Sequence, residues 1–584
     1  MRKRLIHYPE TNAGRPGFMQ QPELFLIRIK SVFTVAILCS LISYACSDSV
    51  NTDYIYEGLE FDMPKVKEPE IPSYSVSLAD MGGVADARTL NTDFFAKAIE
   101  HLAQKGGGTL IVPSGIWLTG PIVLQSNINL HLEAGAIIRF SPDFDLYPVI
   151  PCNFEGASTY RCQSPISAID AENISITGSG IIDGNGHSWR PVKIGKVGEW
   201  HWADLLASGG ALEDNGTYWF PSEEAARGYR LSEGKNLPPF SDIQQFREIR
   251  DYLRPVMLSI VNCKKVLLEG VTIQNSPAWA IHPLWCEDLV IRELQVRSPH
   301  HAQNGDGIDI ESCRNVLVYN NCIDVGDDAI CLKSGRDREG RDRGIPSENI
   351  VIKNNTVYHG HGGFVIGSEM SGGVRNVHVS DCRFLGTLVG IRFKSTRGRG
   401  GIVENIFISD IDMVNIVDDL IRFNMLYNIY TPQADNLIAG GSIIEAEPLS
   451  EDTPVFRNIS IRGITGNSAG YAAIIRGLPE QKLENIVFKD LNLSGHKGMV
   501  IMFSDNVIVD NAIISCDKGA GLALYNCSNV NINNICLQPE ARQPQVIVSG
   551  PETQQIGFGK NEWIKLRDEL LLQNGVDKSS IICN

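Results

Sequence analysis

From residue 173 onward the chain repeats one short phrase: Asn, then Ile or Val, a spacer, then Ile or Val again. The phrase opens at Asn315, Asn349, Asn376, Asn405, Asn458, Asn485, Asn506 and Asn529, at intervals of 34, 27, 29, 53, 27, 21 and 23 residues. Alternation over so few positions predicts short strands. A strand recurring every 20 to 30 residues predicts a solenoid, here an all-β parallel β-helix. The asparagines suit a left-handed turn and can stack in ladders from coil to coil. The interval of 53 is either two coils or one coil carrying an insertion near 427–450. A leucine-rich repeat is the rival, but its leucine spacing is missing.

The pattern changes at both ends. Phe94, Phe95, Ala98, Ile99 and Leu102 form one helical stripe, with Asn91 or Thr92 as cap and Gly106-Gly107-Gly108 as stop. Residues 109–113 and 127–133 then alternate as strands. Near the end, Trp563, Leu566 and Leu570, widened by Ile564 and Leu571, predict an amphipathic helix over 561–573 that covers the last coil. The expected organisation is a signal segment (1–45), a polar linker (46–72), an N-terminal cap region (73–150), the β-helix (151–550) and a C-terminal capping segment (551–584). Two insertions interrupt the β-helix, near 189–254 and 427–450. The first holds Trp200, Trp202, Tyr218, Trp219 and Phe220, which either stack on sugar rings or pack the insertion onto the solenoid.

The chain has 584 residues, 43% hydrophobic and 21% charged, an ordinary globular balance. Its 55 glycines fit a fold with many tight turns. A formal net charge of −16 argues against a nucleic-acid partner, which needs a basic face. It also requires that any positive field for an acidic substrate be local. Lys333, Arg336, Arg338, Arg341, Arg343, Lys394, Arg397 and Arg399 can supply one, unless they pair with Asp337, Glu339 and Asp342. Cys263, Cys286, Cys313 and Cys527 each stand two residues before the start of a β-run, so they are expected to stack inside the solenoid as small hydrophobes rather than form disulfides. Arg28 and Lys30 precede an apolar run at 31–45 that is short for a membrane span and reads as an export signal. Ala45-Cys46 at its end resembles a lipoprotein signal with Cys46 as the anchored residue, although Ser43 stands where Leu is usual. The expected location is therefore the periplasm or outer membrane, or otherwise outside the cell as a secreted protein.

Four stretches carry the chemistry: Asn304-Gly305-Asp306-Gly307, Gly326-Asp327-Asp328, Gly360-His361-Gly362 and Arg392-Phe393-Lys394. Their key residues are 21, 33 and 31 positions apart (306 to 327, 328 to 361, 361 to 392), about one coil each, so they stack into one site. Breaking a glycosidic bond takes a proton for the leaving oxygen and a nucleophile, and carboxyl groups serve both ends. Adjacent Asp327 and Asp328 can share a cleft only if the strand bends, as Gly326 permits. Crowded carboxylates are expected to leave one of them protonated. Arg392 and Lys394 share a face while Phe393 points inward, which suits a substrate bearing its own carboxylate. His361 can hydrogen-bond an acid or a hydroxyl.

These stretches resemble the four signature segments of glycoside hydrolase family 28, the polygalacturonases and their relatives. The similarity runs from about residue 79 to 529 and includes Gly106-Gly107-Gly108 and Ile181-Ile182-Asp183-Gly184-Asn185-Gly186. It implies a right-handed parallel β-helix that hydrolyses α-linked galacturonans with inversion and without metal or other cofactor. It also implies Asp327 as general acid, Asp306 and Asp328 as the pair that activates water, and His361 as aid to the acid. Arg392 and Lys394 would hold a sugar carboxylate, with Asn304 among the substrate-binding residues. Gly305 stands where Thr is usual and Phe393 where Ile is usual. The run from Val365 to Gly373 and the run from Asn275 to Pro283 resemble the exo-acting branch. The expected partner is an acidic plant polysaccharide such as pectin or polygalacturonate, cleaved by a monomer. The alternatives are a rhamnogalacturonan or substituted-galacturonan hydrolase, a calcium-dependent lyase on the same scaffold, and a non-catalytic glycan-binding β-helix.

Overall fold

The computed structural model describes residues 52–429, 431–540 and 543–583. The expected signal segment and Cys46 lie outside the described residues. The chain divides into a short first unit, residues 1–57, in which Asp53–Ile55 form a 3-10 turn, and a second unit, residues 58–584. No described helix is long and apolar enough to cross a membrane.

The second unit is a parallel β-helix, and parallel crossovers of this kind coil right-handedly. One ladder climbs from Gly108–Val112 through Ile128–Leu132, Glu172–Gly178, Lys264–Glu269, Glu287–Arg292 and Arg314–Tyr319 to Ser347–Lys353. A second, which carries the site, climbs through Ile166–Ile169, Leu258–Val261, Ile281–Leu284, Ile308–Glu311, Asp328–Lys333, Gly362–Ile366, Val389–Lys394, Ile421–Asn424 and Tyr471–Arg476. Parallel register stacks like on like, so Ile308, Ile330, Phe364, Ile391 and Ile421 form one buried column. The ladders reach beyond the expected limits of 151 and 550: pairing begins at Ser75–Ser77 and ends at Ile581–Cys583.

The asparagine ladder is present. Each of Asn349, Asn376, Asn405, Asn458, Asn485 and Asn506 donates its Nδ2 to the Oδ1 of the asparagine one coil earlier, at 2.7–3.3 Å. All adopt positive φ, the left-handed turn that Asn tolerates. Asn458 bonds Asn405 directly at 3.3 Å, so the interval of 53 is one coil with an insertion. Cys263, Cys286, Cys313 and Cys527 are buried free thiols, and the Cys286 amide meets Cys313 Sγ at 3.3 Å.

The N-terminal helix is Thr92–Gln104, and it buries Phe95, Ala98, Ile99 and Leu102 over the first coil. Neither expected cap residue closes it with its side chain. Asn91 Oδ1 accepts from the Val84 amide at 2.8 Å, and Thr92 Oγ1 accepts from Gly120 at 2.7 Å. The C-terminal helix stops at Lys560–Leu566 instead of running to 573. Leu570–Gln573 is a strand paired with Val546–Ser549, because the open edge of the last coil offers backbone partners that a helix would leave exposed. Beyond residue 57 the expected linker is docked: Glu60 binds His378 at 2.7 Å and Glu68 pairs with Arg292.

The insertion at 189–254 forms a small three-stranded sheet with helices Glu199–Ala207, Glu223–Leu231 and Ile243–Glu248. Trp189, Phe220, Phe246 and Tyr252 pack it onto the hairpin Val149–Phe154/Ala157–Cys162. Trp219 and Phe220 are thus packing residues, while Trp200 is 89% exposed.

Candidate active site

Four consecutive coils of the site-bearing ladder bring the four stretches together. Asp306 precedes Ile308–Glu311, Asp328 opens Asp328–Lys333, His361 precedes Gly362–Ile366, and Arg392 and Lys394 end Val389–Lys394. Asp327 lies in a bend before its strand, so the adjacent pair escapes the alternation that would send one carboxylate inward. A Cβ at Gly326 would sit 2.6 Å from the Pro299 carbonyl and 2.8 Å from that of Ala302. A Cβ at Gly305 would sit 2.6 Å from the Ala302 Cβ, so the loop has closed into the space a threonine would need. Phe393 faces the core and stacks on Phe423, with ring centroids 4.3 Å apart.

One oxygen from each of Asp306, Asp327 and Asp328 lies within 4.8 Å of the others. Asp327 Oδ1 is 2.8 Å from His361 Nδ1, and Asp328 Oδ2 is 2.5 Å from Lys394 Nζ, with Arg392 Nη1 at 3.5 Å from Oδ1. Asp306 and Asp328 are buried, whereas the side chains of Asp327 (16%) and His361 (33%) remain open to solvent. Three carboxylate oxygens this close can gather on a cation. Here Lys394 and Arg392 already supply counter-charge to Asp328.

Burial pushes Asp306 well above the usual carboxylate range, helped by Asp309 and Asp327. Burial likewise raises Asp309, to about 8, against the pull of Lys333. For Asp327 burial acts upward too, but the His361 hydrogen bond, then Lys394 and Lys196, outweigh it and hold the group below its ordinary value. Asp328 is lowered in the same way, burial being outweighed by Lys394 and Arg392. Burial more than crowding therefore favours the protonated form of Asp306, while Asp327 and Asp328 are held toward the ionised form.

The expected positive field is smaller than the sequence count. Arg338 pairs with Asp342, Arg343 with Glu339, Arg336 with Glu155, Arg341 with Asp452, Arg397 with Glu480 and Arg399 with Asp337. Lys333 is buried between Asp309 (3.5 Å) and Glu369 (3.4 Å) with the Trp279 ring at 4.9 Å. Glu369 and Trp279 come from the two runs that resemble the exo branch, so those runs meet at Lys333. Asn304 Oδ1 accepts from Arg254 (2.8 Å) and Asn236 (3.3 Å), which leaves only its amide nitrogen for a ligand.

Sequence reasoning missed Lys196. It comes from the 189–254 insertion and places Nζ 3.4 Å from His361 Nε2. Burial lowers its pKa against the attraction of Asp327. No periodicity or motif marks this lysine. The same insertion sets His201 edge-on to His301, whose pKa burial lowers to about 4.

The pattern typical of glycosyl hydrolases family 28 matches residues 206–507, just over half of the chain. The chain belongs to this family. It is a glycoside hydrolase of the polygalacturonase type. The structure of a hyperthermoactive exopolygalacturonase from Thermotoga maritima is similar, with 35% identity and a TM-score of 0.61, covering 81% of this chain and 94% of that one. A probable polygalacturonase of Vitis vinifera is 27% identical over 496 residues, covering 83% of this chain and 86% of its own length. The exo-poly-alpha-D-galacturonosidase of Dickeya chrysanthemi is 25% identical over 434 residues, covering 72% of this chain and 67% of its own length.

Proposed function

We propose that this family 28 protein is an exported, exo-acting hydrolase that releases galacturonic acid from the ends of α-1,4-linked galacturonan chains of pectin, with inversion. The observation that carries the reading is the meeting of three carboxyls, an imidazole and two cations on one sheet face, with Lys196 of the 189–254 insertion 3.4 Å from His361. Exo action is supported by the arrival of that insertion beside the site, since a loop that blocks one side of a cleft favours a chain terminus, and by the name of the Thermotoga relative.

In this reading Asp327, the most open of the three, protonates the leaving oxygen. Asp327 must take up a proton before delivery, which a bound acidic substrate favours by displacing water and adding negative charge beside it, while His361 at 2.8 Å positions the carboxyl. Asp328, kept ionised by Lys394, accepts a proton from the attacking water, and the protonated Asp306 orients that water. Arg392 and Lys394 bind the sugar carboxylate.

Inverting pairs usually stand about 6.5–9.5 Å apart and retaining pairs about 5–5.5 Å, and here the oxygens approach within 4.8 Å. A retaining nucleophile must reach the anomeric carbon unencumbered. Asp328 is held by two cations and Asp306 carries a proton, so water is the better nucleophile.

The test is digestion of polygalacturonate with the purified protein, with products separated, their ultraviolet absorbance recorded and the first-formed anomer read by NMR. Saturated galacturonic acid monomer released first as the β anomer supports the whole reading. A spread of saturated oligomers overturns exo action, the α anomer overturns inversion, and new absorbance indicates a lyase. Absence of product on galacturonan but activity on rhamnogalacturonan would move the substrate to that backbone.

A further inference from the structure

Beyond the catalytic coils the same sheet face continues, with Lys394, Asn424 and Arg476 in register on successive strands. Over the last two strands lies a cavity of about 320 Å³, roofed by Thr431 and Gln433 from the second insertion and walled by Tyr471.

Two arginines reach this cavity, and their surroundings differ. Arg422 is neutralised, with Nη2 2.5 Å from carboxylate oxygens of both Asp418 and Asp419. Arg476 makes no ion pair among the described residues. Its Nη1 donates to Thr431 Oγ1 at 2.9 Å, its Nε is buried without a partner, and the residue is only 9% exposed. Desolvation depresses its pKa, Tyr471 and Asp419 offset that only in part, and the neighbouring Arg422 adds to the depression. A buried cation without counter-charge is costly to the fold. Asn424 Oδ1 accepts from the Leu426 amide at 3.0 Å, so its Nδ2 is the atom available to an incoming acceptor. Arginine, neutral hydroxyl and amide together suit a carboxylate bound through a guanidinium fork.

We propose that Arg476, with Asn424 and Thr431, forms a distal anion subsite that takes the carboxylate of a uronate residue bound beyond Arg392 and Lys394, so that longer acidic chains are preferred to short ones. Two rungs of a parallel ladder put Arg476 roughly 10 Å past Lys394 along the sheet, further than one sugar reaches. The counter-charge missing from the protein arrives with the polyanion. The inference rests on the galacturonan reading, and its experiment separates the two.

The experiment is calorimetric titration of D327N, D327N/R476Q and D327N/R476K with galacturonate dimer and tetramer, with thermal midpoints recorded for each protein. In D327N the tetramer is expected to bind more tightly than the dimer. R476Q should shrink the ratio of the two affinities about tenfold, and R476K, which keeps the charge and loses the fork, should fall between. Equal affinities in D327N, or a ratio unchanged by R476Q, overturns the subsite even if wild type hydrolyses polygalacturonate. A ratio that collapses in R476Q supports the subsite even if wild type proves endo-acting. No binding of either oligomer overturns both the subsite and the galacturonan reading.

Discussion

His361 holds Asp327 at two points: its Nδ1 is 2.8 Å from Asp327 Oδ1, and its amide donates to the Asp327 carbonyl at 2.7 Å. The backbone bond belongs to the coil-to-coil ladder, so the solenoid itself sets the distance between imidazole and carboxylate. The pair stands at the open edge of the site, while Asp306 is buried.

Replacing Asp327 with Asn removes the proposed donor with little change of shape. We expect kcat to fall by at least about a hundredfold with an unchanged thermal midpoint. Steady-state kinetics on polygalacturonate check the first part and thermal unfolding the second.

Lys394→Met should act on pH dependence as well as binding. Lys394 is the largest of the influences that lower Asp328. Without it the Asp328 pKa rises, so the acid limb of kcat/KM, which reflects loss of ionised Asp328 as pH falls, moves to higher pH. KM should rise too. A pH profile whose acid limb stays in place would refute the assignment of that limb to Asp328.

Lys196→Met removes the insertion's contribution beside His361 without disturbing the ladder. The expected outcome is a fall in kcat/KM of about tenfold, with unfolding free energy changed by no more than the range usual for surface substitutions, about ±0.5 kcal/mol. A loss equal to that of Asp327→Asn would place Lys196 in the proton-transfer step instead.

Asp309 offers a stability test. Its folded pKa of about 8 lies above the unfolded value, near 3.9. Between those values the folded state binds more protons, so this group favours folding at low pH and the benefit is lost as pH rises toward 8. Asp309→Asn should remove that slope and gain on wild type by an amount of order 1 kcal/mol near neutrality. Chemical denaturation at pH 5 and pH 8 measures it. A gain larger at pH 5 would show the sign to be wrong.

Asn376→Ala interrupts the asparagine ladder at its middle. Asn376 has a φ of 54°, donates to Asn349 at 3.1 Å and accepts from Asn405 at 3.2 Å. Alanine loses both bonds and is strained in the left-handed region, at about 1–2 kcal/mol for the backbone alone. Denaturant unfolding should show a loss of that order, with activity per folded molecule retained.

The repeat was legible because each coil is written locally. An Asn at the turn and apolar residues at alternate positions specify inside and outside without reference to the rest of the chain, and the stacked cysteines follow the same logic. Helical spacing misled at 561–573, where Leu566 and Leu570 satisfy a helix and Leu570 and Leu572 satisfy a strand. The free edge of Val546–Ser549 decided in favour of the strand. The order of Asp306, Asp327, Asp328, His361, Arg392 and Lys394 was legible for the same reason as the coils, since one residue group per coil must stack.

Sequence alone determined the β-helix, the family resemblance and the row of chemical groups, because register in a parallel solenoid follows from local pattern and period. Tertiary structure alone decided which charges act. It neutralised the arginines of 336–343 with acids drawn partly from distant coils, buried Lys333 between Asp309 and Glu369, and raised the Asp306 pKa through burial. It also brought Lys196 to His361 and left Arg476 without an acid among the described residues. Charge pairing and desolvation depend on partners hundreds of positions away and on the cover that insertions provide, and neither is written in any one stretch of the chain.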